Sequence, residues 1–200
     1  MALWKSKEPV TKSYIDNKQE KTVSINHKNV FISDGVVNEI TWNNQDGKKI
    51  LYVLKEAYGE SEDWNLTEWL LRVKPSSSIW KRVIEWTYGI QNTTAERIAK
   101  YLPDLYEHNL ELFNNIAILN LKKSGGKSSS NYGEIKAYAL TDKAEIKKQI
   151  SIINPDIIVC GATFSTLNHV YDNEIRPEGI WCDNWFYYTK NSAYTTQWIC

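Results

Sequence analysis

Three apolar runs in this chain break off on residues that can do chemistry. The run Ile50 to Leu54 passes abruptly into Lys55-Glu56-Ala57-Tyr58-Gly59, with Glu60, Glu62 and Asp63 close behind. The run "IAILN" ends on Asn120, and "DIIVCGAT" ends on Gly161-Ala162-Thr163. A carboxylate such as Glu56 can stabilise a neighbouring cation or orient a water molecule. A carboxamide such as Asn120 carries two N–H donors and an acceptor, enough to read one polar edge of a flat molecule. A ring such as Tyr58 or Trp64 offers a stacking face. Each residue also has a plainer reading. Glu56 can pair with Lys55 or cap the next helix, and Asn120 can be a turn residue. Lys190 can be a solvated lysine, and Ser192 can be a helix N-cap.

The elements that must position these residues alternate from residue 48 onward. "KKILYVLKE", "IAILNL" and "DIIVCGA" are continuous apolar runs between polar ends, the pattern of strands buried on both faces. "IWCDNWFYY" supplies a fourth strand or a hairpin edge. Between them, "SEDWNLTEWLLRV" reads as a helix opening on a capping serine, with Trp64, Trp69, Leu70 and Val73 on one face. "SSSIWKRVIEWTYGI" gives a second helix, and "TTAERIAKYL" a third behind a Thr93-x-x-Glu96 capping box. A further helical stretch runs from Pro103 to about Asn114. "TDKAEIKKQISII" and "TFSTLNHVYDN" are later helices, and the tail "TKNSAYTTQWIC" reads as a loop and a short helix. "NVFISDGVVN" suggests a short strand, a turn at Asp34-Gly35 and a small helix, and "KKSGGKSSSNYGE" a glycine-rich loop. Residues 1–30 are polar and lysine-rich without sustained period, so they read as a loosely ordered arm before a single domain at 31–200. This order predicts an α/β fold: a three-layer α/β/α sandwich around a central, mostly parallel four-stranded sheet. In such sheets ligands bind at the carboxyl ends of the strands, where the three polar breaks fall.

Composition narrows the chemistry. Lys plus Arg and Asp plus Glu are 24 each, so no global basic field draws the chain to nucleic acid, and any such contact must come from a local patch. Cys160, Cys182 and Cys200 form no CxxC pair, which argues against a zinc ribbon or an iron–sulfur cluster and fits a reduced, cytoplasmic compartment. His27, His108 and His169 have no mutual metal-ligand spacing, so no metal and no cofactor is expected. No signal peptide or membrane span is expected, since Met1 to Lys7 lacks the apolar core that such a segment needs. "GGKSSS" is not a P-loop: the glycine required five positions before Gly126 is Leu121.

In order, the strand ends resemble those of the uracil-DNA glycosylase superfamily. The family ends its first strand on a Gly-Gln-Asp-Pro-Tyr-His type of motif. Leu54-Lys55-Glu56-Ala57-Tyr58-Gly59 is similar, with Glu56 at the water-activating acid and Tyr58 at the ring bordering the base pocket. "AILN" resembles the family's Leu-Leu-Asn, and Asn120 would read the base. "CGAT" resembles the helix start that grips phosphate, through Ala162 and Thr163. "YYTKNSAY" is the counterpart of the final His-Pro-Ser motif, with Lys190 in place of the histidine and Ser192 beside it on the phosphate. Lys55 stands where the family has glutamine. The resemblance spans roughly residues 30–198.

What it implies is a monomeric, metal-independent, monofunctional DNA repair hydrolase. It would excise uracil or another altered base by N-glycosidic hydrolysis. Glu56 and Lys190 would be catalytic, and Tyr58, Asn120 and Trp64 base-binding. The alternative is a protein that keeps the fold and binds DNA, a nucleobase, a nucleotide or a protein partner without excision.

Overall fold

Every residue from Ile50 to Leu54 is buried, which a strand achieves only when both faces of its sheet are covered. The computed structural model describes residues 2–59, 62–73, 75, 77–102, 104–175, 181–182, 186–190 and 197–199, with side chains described between 4 and 175. In chain order the elements are α1 (Ala2–Lys5), β1 (Val10–Asp16), β2 (Gln19–Ile25), β3 (Ile32–Ser33), α2 (Glu39–Asn44) and β4 (Ile50–Tyr58). Then come β5 (Trp64–Asn65), α3 (Leu66–Arg72), α4 (Ser78–Asn92), α5 (Leu105–His108), a 3₁₀ segment (Leu110–Asn115) and β6 (Ile116–Gly126). The last are α6 (Tyr132–Thr141), α7 (Lys143–Ile153), β7 (Ile157–Cys160), α8 (Phe164–Val170), β8 (Trp181–Cys182), β9 (Phe186–Lys190) and β10 (Gln197–Ile199). Among the described residues no helix is long and apolar enough to cross a membrane.

The protein is mixed α/β. Among the described residues the main sheet has the order β6-β4-β7-β10-β9-β8, six strands where four are expected from the sequence. Strands β6, β4, β7 and β10 run parallel; β9 and β8 add an antiparallel edge. Successive side chains of a strand point to opposite faces. Leu51, Val53, Ala117 and Leu119 accordingly pack with Ile135 of α6, Ile146 of α7 and Leu167 of α8. Ile50, Tyr52, Ile116 and Ile118 pack on the other side with Leu70 of α3 and Val83 and Ile84 of α4. Each fully buried aliphatic side chain contributes roughly 1.5–3 kcal/mol relative to exposure, so these two layers hold the sheet.

Asparagines set four of the helix limits. Asn38, Asn65 and Asn131 accept backbone N–H groups at the starts of α2, α3 and α6. Asn154 ends α7 in the left-handed region, its N–H on the Ile150 carbonyl. The Asn65 cap corrects one expectation: the helix begins at Leu66, not at the serine before Glu62, and Trp64-Asn65 pairs as a short strand with β3. The helix expected over 93–102 is absent. Helix α4 stops at Asn92, Thr94 Oγ1 bonds Glu96 instead, and Ile98 and Tyr101 lie exposed, so no apolar face exists to dock such a helix. The stretch after Pro103 divides into α5 and the 3₁₀ segment. Trp181-Cys182 pairs antiparallel with β9 at the sheet edge, and within the tail the described residues 197–199 form a strand.

The largest correction concerns residues 1–30. They form a hairpin whose two turn residues, Asn17 and Lys18, both have positive φ, as a primed turn requires. The hairpin packs on α6. Trp4 is buried in the core beside Phe31, and His27 is buried with its Nε2 2.8 Å from Asp142 Oδ2. Lys7 binds Asp142 at 2.8 Å and Glu145 at 2.9 Å. The hairpin strands are largely exposed on both faces, so they lack the apolar alternation that announces a strand. If this segment belongs to the core, Trp4→Ala should lower unfolding free energy by about 3 kcal/mol. Urea denaturation would measure it, and an unchanged midpoint would mean the segment is a dispensable arm.

Candidate functional site

The pairing of β4 with β6 places Leu54 opposite Asn120 and Glu56 opposite Lys122. Paired residues of parallel neighbours share a face, so Asn120 is the diagonal neighbour of Glu56 on the face covered by α3 and α4. The third strand closes the same end: Gly161 N–H donates to the Val53 carbonyl at 2.9 Å. These strand ends and the helices beyond them enclose a cleft of about 1080 Å³, lined by Glu56, Tyr58, Trp64, Asn120 and Gly161, with Arg72 on the helical wall. Four of the residues singled out by the sequence therefore share one cavity.

Glu56 does not pair with Lys55. Its Oε2 lies 2.9 Å from Lys122 Nζ, and that ammonium lies 2.7 Å from Glu134 Oε1 of α6. The two partners Glu56 and Lys122 have side chains only 6% and 8% exposed, so the pair is shielded from solvent screening. The close passage of β6 depends on glycine: a Cβ at Gly126 would sit 2.4 Å from Glu56 Cγ and 2.8 Å from its Oε2. The ladder is irregular there, where Tyr58 falls opposite Gly126. Burial opposes the charge on Lys122, but hydrogen bonds to Glu134 and Glu56 outweigh it and hold the ammonium pKa above the ordinary lysine value.

Asn120 is 2% exposed. Its backbone N–H donates to Asp34 Oδ2 at 2.6 Å, and its side-chain Nδ2 is buried without a hydrogen-bond partner. A buried donor left unmade costs about 1–3 kcal/mol, so this amide is poised for an acceptor. Tyr58 stands at the mouth, 76% exposed. Trp64 is half-buried, its ring edge-on to Trp69 at 6.1 Å. Gly59 turns the chain toward it at φ +137°, and a Cβ there would lie 3.1 Å from Trp64 Nε1. Lys55 points its ammonium over the Tyr132 ring at 4.4 Å.

The other expected site residues are not brought together with these. Strand β9 runs antiparallel to β10, so its last residue, Lys190, lies opposite Gln197, which in turn lies opposite Ile157. Ile157 and Ile50 are paired where the parallel strands begin, so Lys190 belongs to the amino end of the sheet. Six residues of β4 separate that level from Glu56, roughly 20 Å along the strand. Ser192 lies outside the described residues. Ala162 uses its N–H on the Cys160 carbonyl, and Thr163 is buried with its hydroxyl donating to the Val53 carbonyl at 2.7 Å. Those groups tie α8 to the sheet and are not turned to a phosphate.

Lys122, Glu134 and Asp34 are the site residues that sequence reading missed. Lys122 carried one signal, its two-residue spacing from Asn120 on a strand, which the loop reading of 122–126 hid. Comparisons of the chain with protein-family models, with curated proteins and with solved structures give no match.

Removing Lys122 would strand Glu56 in a buried position. Lys122→Met should therefore cost about 3 kcal/mol of stability, and Glu56→Gln in the same chain should recover part of that loss, as a double-mutant cycle would show. The pH dependence has a definite sign. A folded-state lysine pKa above 10.5 contributes stability that is complete below pH 10.5 and lost as pH rises through the elevated value. Denaturation curves from pH 8 upward should fall less steeply for Lys122→Met than for the parent chain.

Proposed function

We propose that the cleft receives an unstacked nucleobase and that the chain is a divergent base glycosylase of the uracil-DNA glycosylase type. The finer reading of the fold, a three-layer sandwich of that superfamily, belongs to the same proposal. One observation carries it: the buried, unpartnered Nδ2 of Asn120, a residue that lines the same cleft as Glu56 on the paired parallel strands β4 and β6. A donor in that position meets a base carbonyl, and it becomes more effective as the departing base gains negative charge. Tyr58 and Trp64 offer flat surfaces where a flipped base would lie. Glu56 faces the sugar with the oxygen that Lys122 does not hold.

In the reaction the C1′–N bond breaks and its electron pair leaves with the base. Water oxygen bonds C1′ of the cationic sugar, its proton passes to the carboxylate or to solvent, and the base anion takes up a proton. Glu56 supplies fixed negative charge at the sugar and orients the water. DNA is the partner this chemistry requires, and a monomer working in the cytoplasm suffices for it.

A second reading is favoured by a specific contact: Lys122 occupies one oxygen of Glu56, and Lys190, the stand-in for the family's histidine, is at the other end of the sheet. A cleft so arranged can bind a base without excising it.

Uracil-containing oligonucleotides, single- and double-stranded, followed by alkali treatment, separate the two. The proposal expects strand cleavage by the parent chain and none by Glu56→Gln, which should still bind. Asn120→Ala should slow excision roughly 10²- to 10³-fold. Saturable binding without alkali-labile sites would establish the second reading instead.

A further inference from the structure

A second cavity, of about 810 Å³, opens beside the sheet edge between α2, α7 and the 31–36 segment. Its volume falls in the range of small-ligand sites. Trp4, Phe31 and Trp42 contribute aromatic wall, and Gln149 of α7 contributes a polar end. The Gln149 amide is held in one orientation. Its Nε2 donates to Asp34 Oδ1 at 2.8 Å, which turns Oε1 the other way, and that oxygen is buried without a partner. The amide cannot flip without breaking the bond to Asp34. An N–H donor from a ligand would satisfy the orphan acceptor.

The lining carries three lysines and three carboxylates, and two of the lysines are unpaired among the described residues. Lys123 is matched by Asp34, and Glu145 shares Lys7 with Asp142. Lys49 and Lys148 remain without a carboxylate partner among the described residues, against Glu39 alone on the acidic side. Lys49 lies 5.8 Å from the centre of the Trp42 ring, so cation and flat wall adjoin.

We infer that this cavity is a second ligand site, for a small anion carrying an N–H donor on a flat ring, the chemistry of a nucleotide with an amino-bearing base. Gln149 Oε1 accepts from the ring, and Lys49 and Lys148 take the anionic group. Asp34 links this site to the cleft. One of its oxygens holds the Gln149 amide, and the other holds the Asn120 backbone N–H. Occupancy of the cavity therefore bears on the placement of Asn120. The inference stands apart from excision and is tested by binding alone.

Calorimetric titration of the full chain with AMP, CMP, N6,N6-dimethyl-AMP and inorganic phosphate tests it. AMP or CMP should bind saturably, at least 10-fold more tightly than dimethyl-AMP and phosphate. Lys148→Ala, at an exposed position, should weaken binding several-fold without affecting folding. Amide NMR shifts should move at Gln149 and Lys148 and, through Asp34, at Asn120. No saturation at millimolar nucleotide would overturn the inference, leaving ordered water as the occupant. So would equal binding of dimethyl-AMP, indifference to Lys148→Ala, or shifts confined to the cleft around Tyr58 and Trp69.

Discussion

Strand β6 is an edge strand, and a sheet edge must dispose of a row of unpaired N–H and C=O groups. This constraint organises the rest of the structure. The 34–37 segment covers the edge: Gly35 accepts from Ile118 N–H, Val37 N–H donates to Ile116, and the Asp34 carboxylate takes the Asn120 N–H. The carboxylate then needs a counter-charge in a dry place, and Lys123, also on β6, supplies it. Burial lowers the Lys123 pKa in spite of Asp34 and Asp142, so desolvation outweighs the pull of both carboxylates.

The neighbouring Lys122 instead bridges Glu56 of β4 and Glu134 of α6. Adjacent lysines on one strand thus serve two separate ion-pair systems, one with Asp34 and one with Glu56 and Glu134. Pairing β6 with β4 through residue 126 extends the ladder beyond the apolar core and brings both systems under cover. Gly126 is the steric condition for that extension, because any side chain there would collide with Glu56.

Two orphaned amides, Asn120 Nδ2 and Gln149 Oε1, lie on either side of Asp34. Asp34 bonds the Gln149 side-chain amide and the Asn120 backbone N–H. Two opposite hydrogen-bonding needs, a donor in the cleft and an acceptor in the neighbouring cavity, therefore share one anchor. The Gln149 amide cannot turn over without giving up its bond to Asp34, whereas Asp34 holds only the backbone of Asn120.

Local pattern determined a good deal. The unbroken apolar runs at 50–54, 116–119 and 157–160 read as buried strands, being too short for helices and bounded by polar breaks. The alternation of those runs with capped helices determined the α/β class and placed Glu56 and Tyr58 near a strand end where a parallel sheet binds ligands, whereas Asn120 lies mid-strand because β6 runs on to Gly126. Tertiary structure decided the partners. Whether Glu56 meets Lys55 or Lys122 depends on β6 running past residue 121, and lysines look like loop whether they are solvated or buried in pairs. The N-terminal hairpin was equally hidden, because its contribution rests on Trp4 and His27 reaching a core built by residues far along the chain. Strand direction was the last such decision. Lys190 follows an apolar strand just as Glu56 does, but an antiparallel neighbour puts it at the other end of the sheet, and no local signal in the sequence records which way a strand will run.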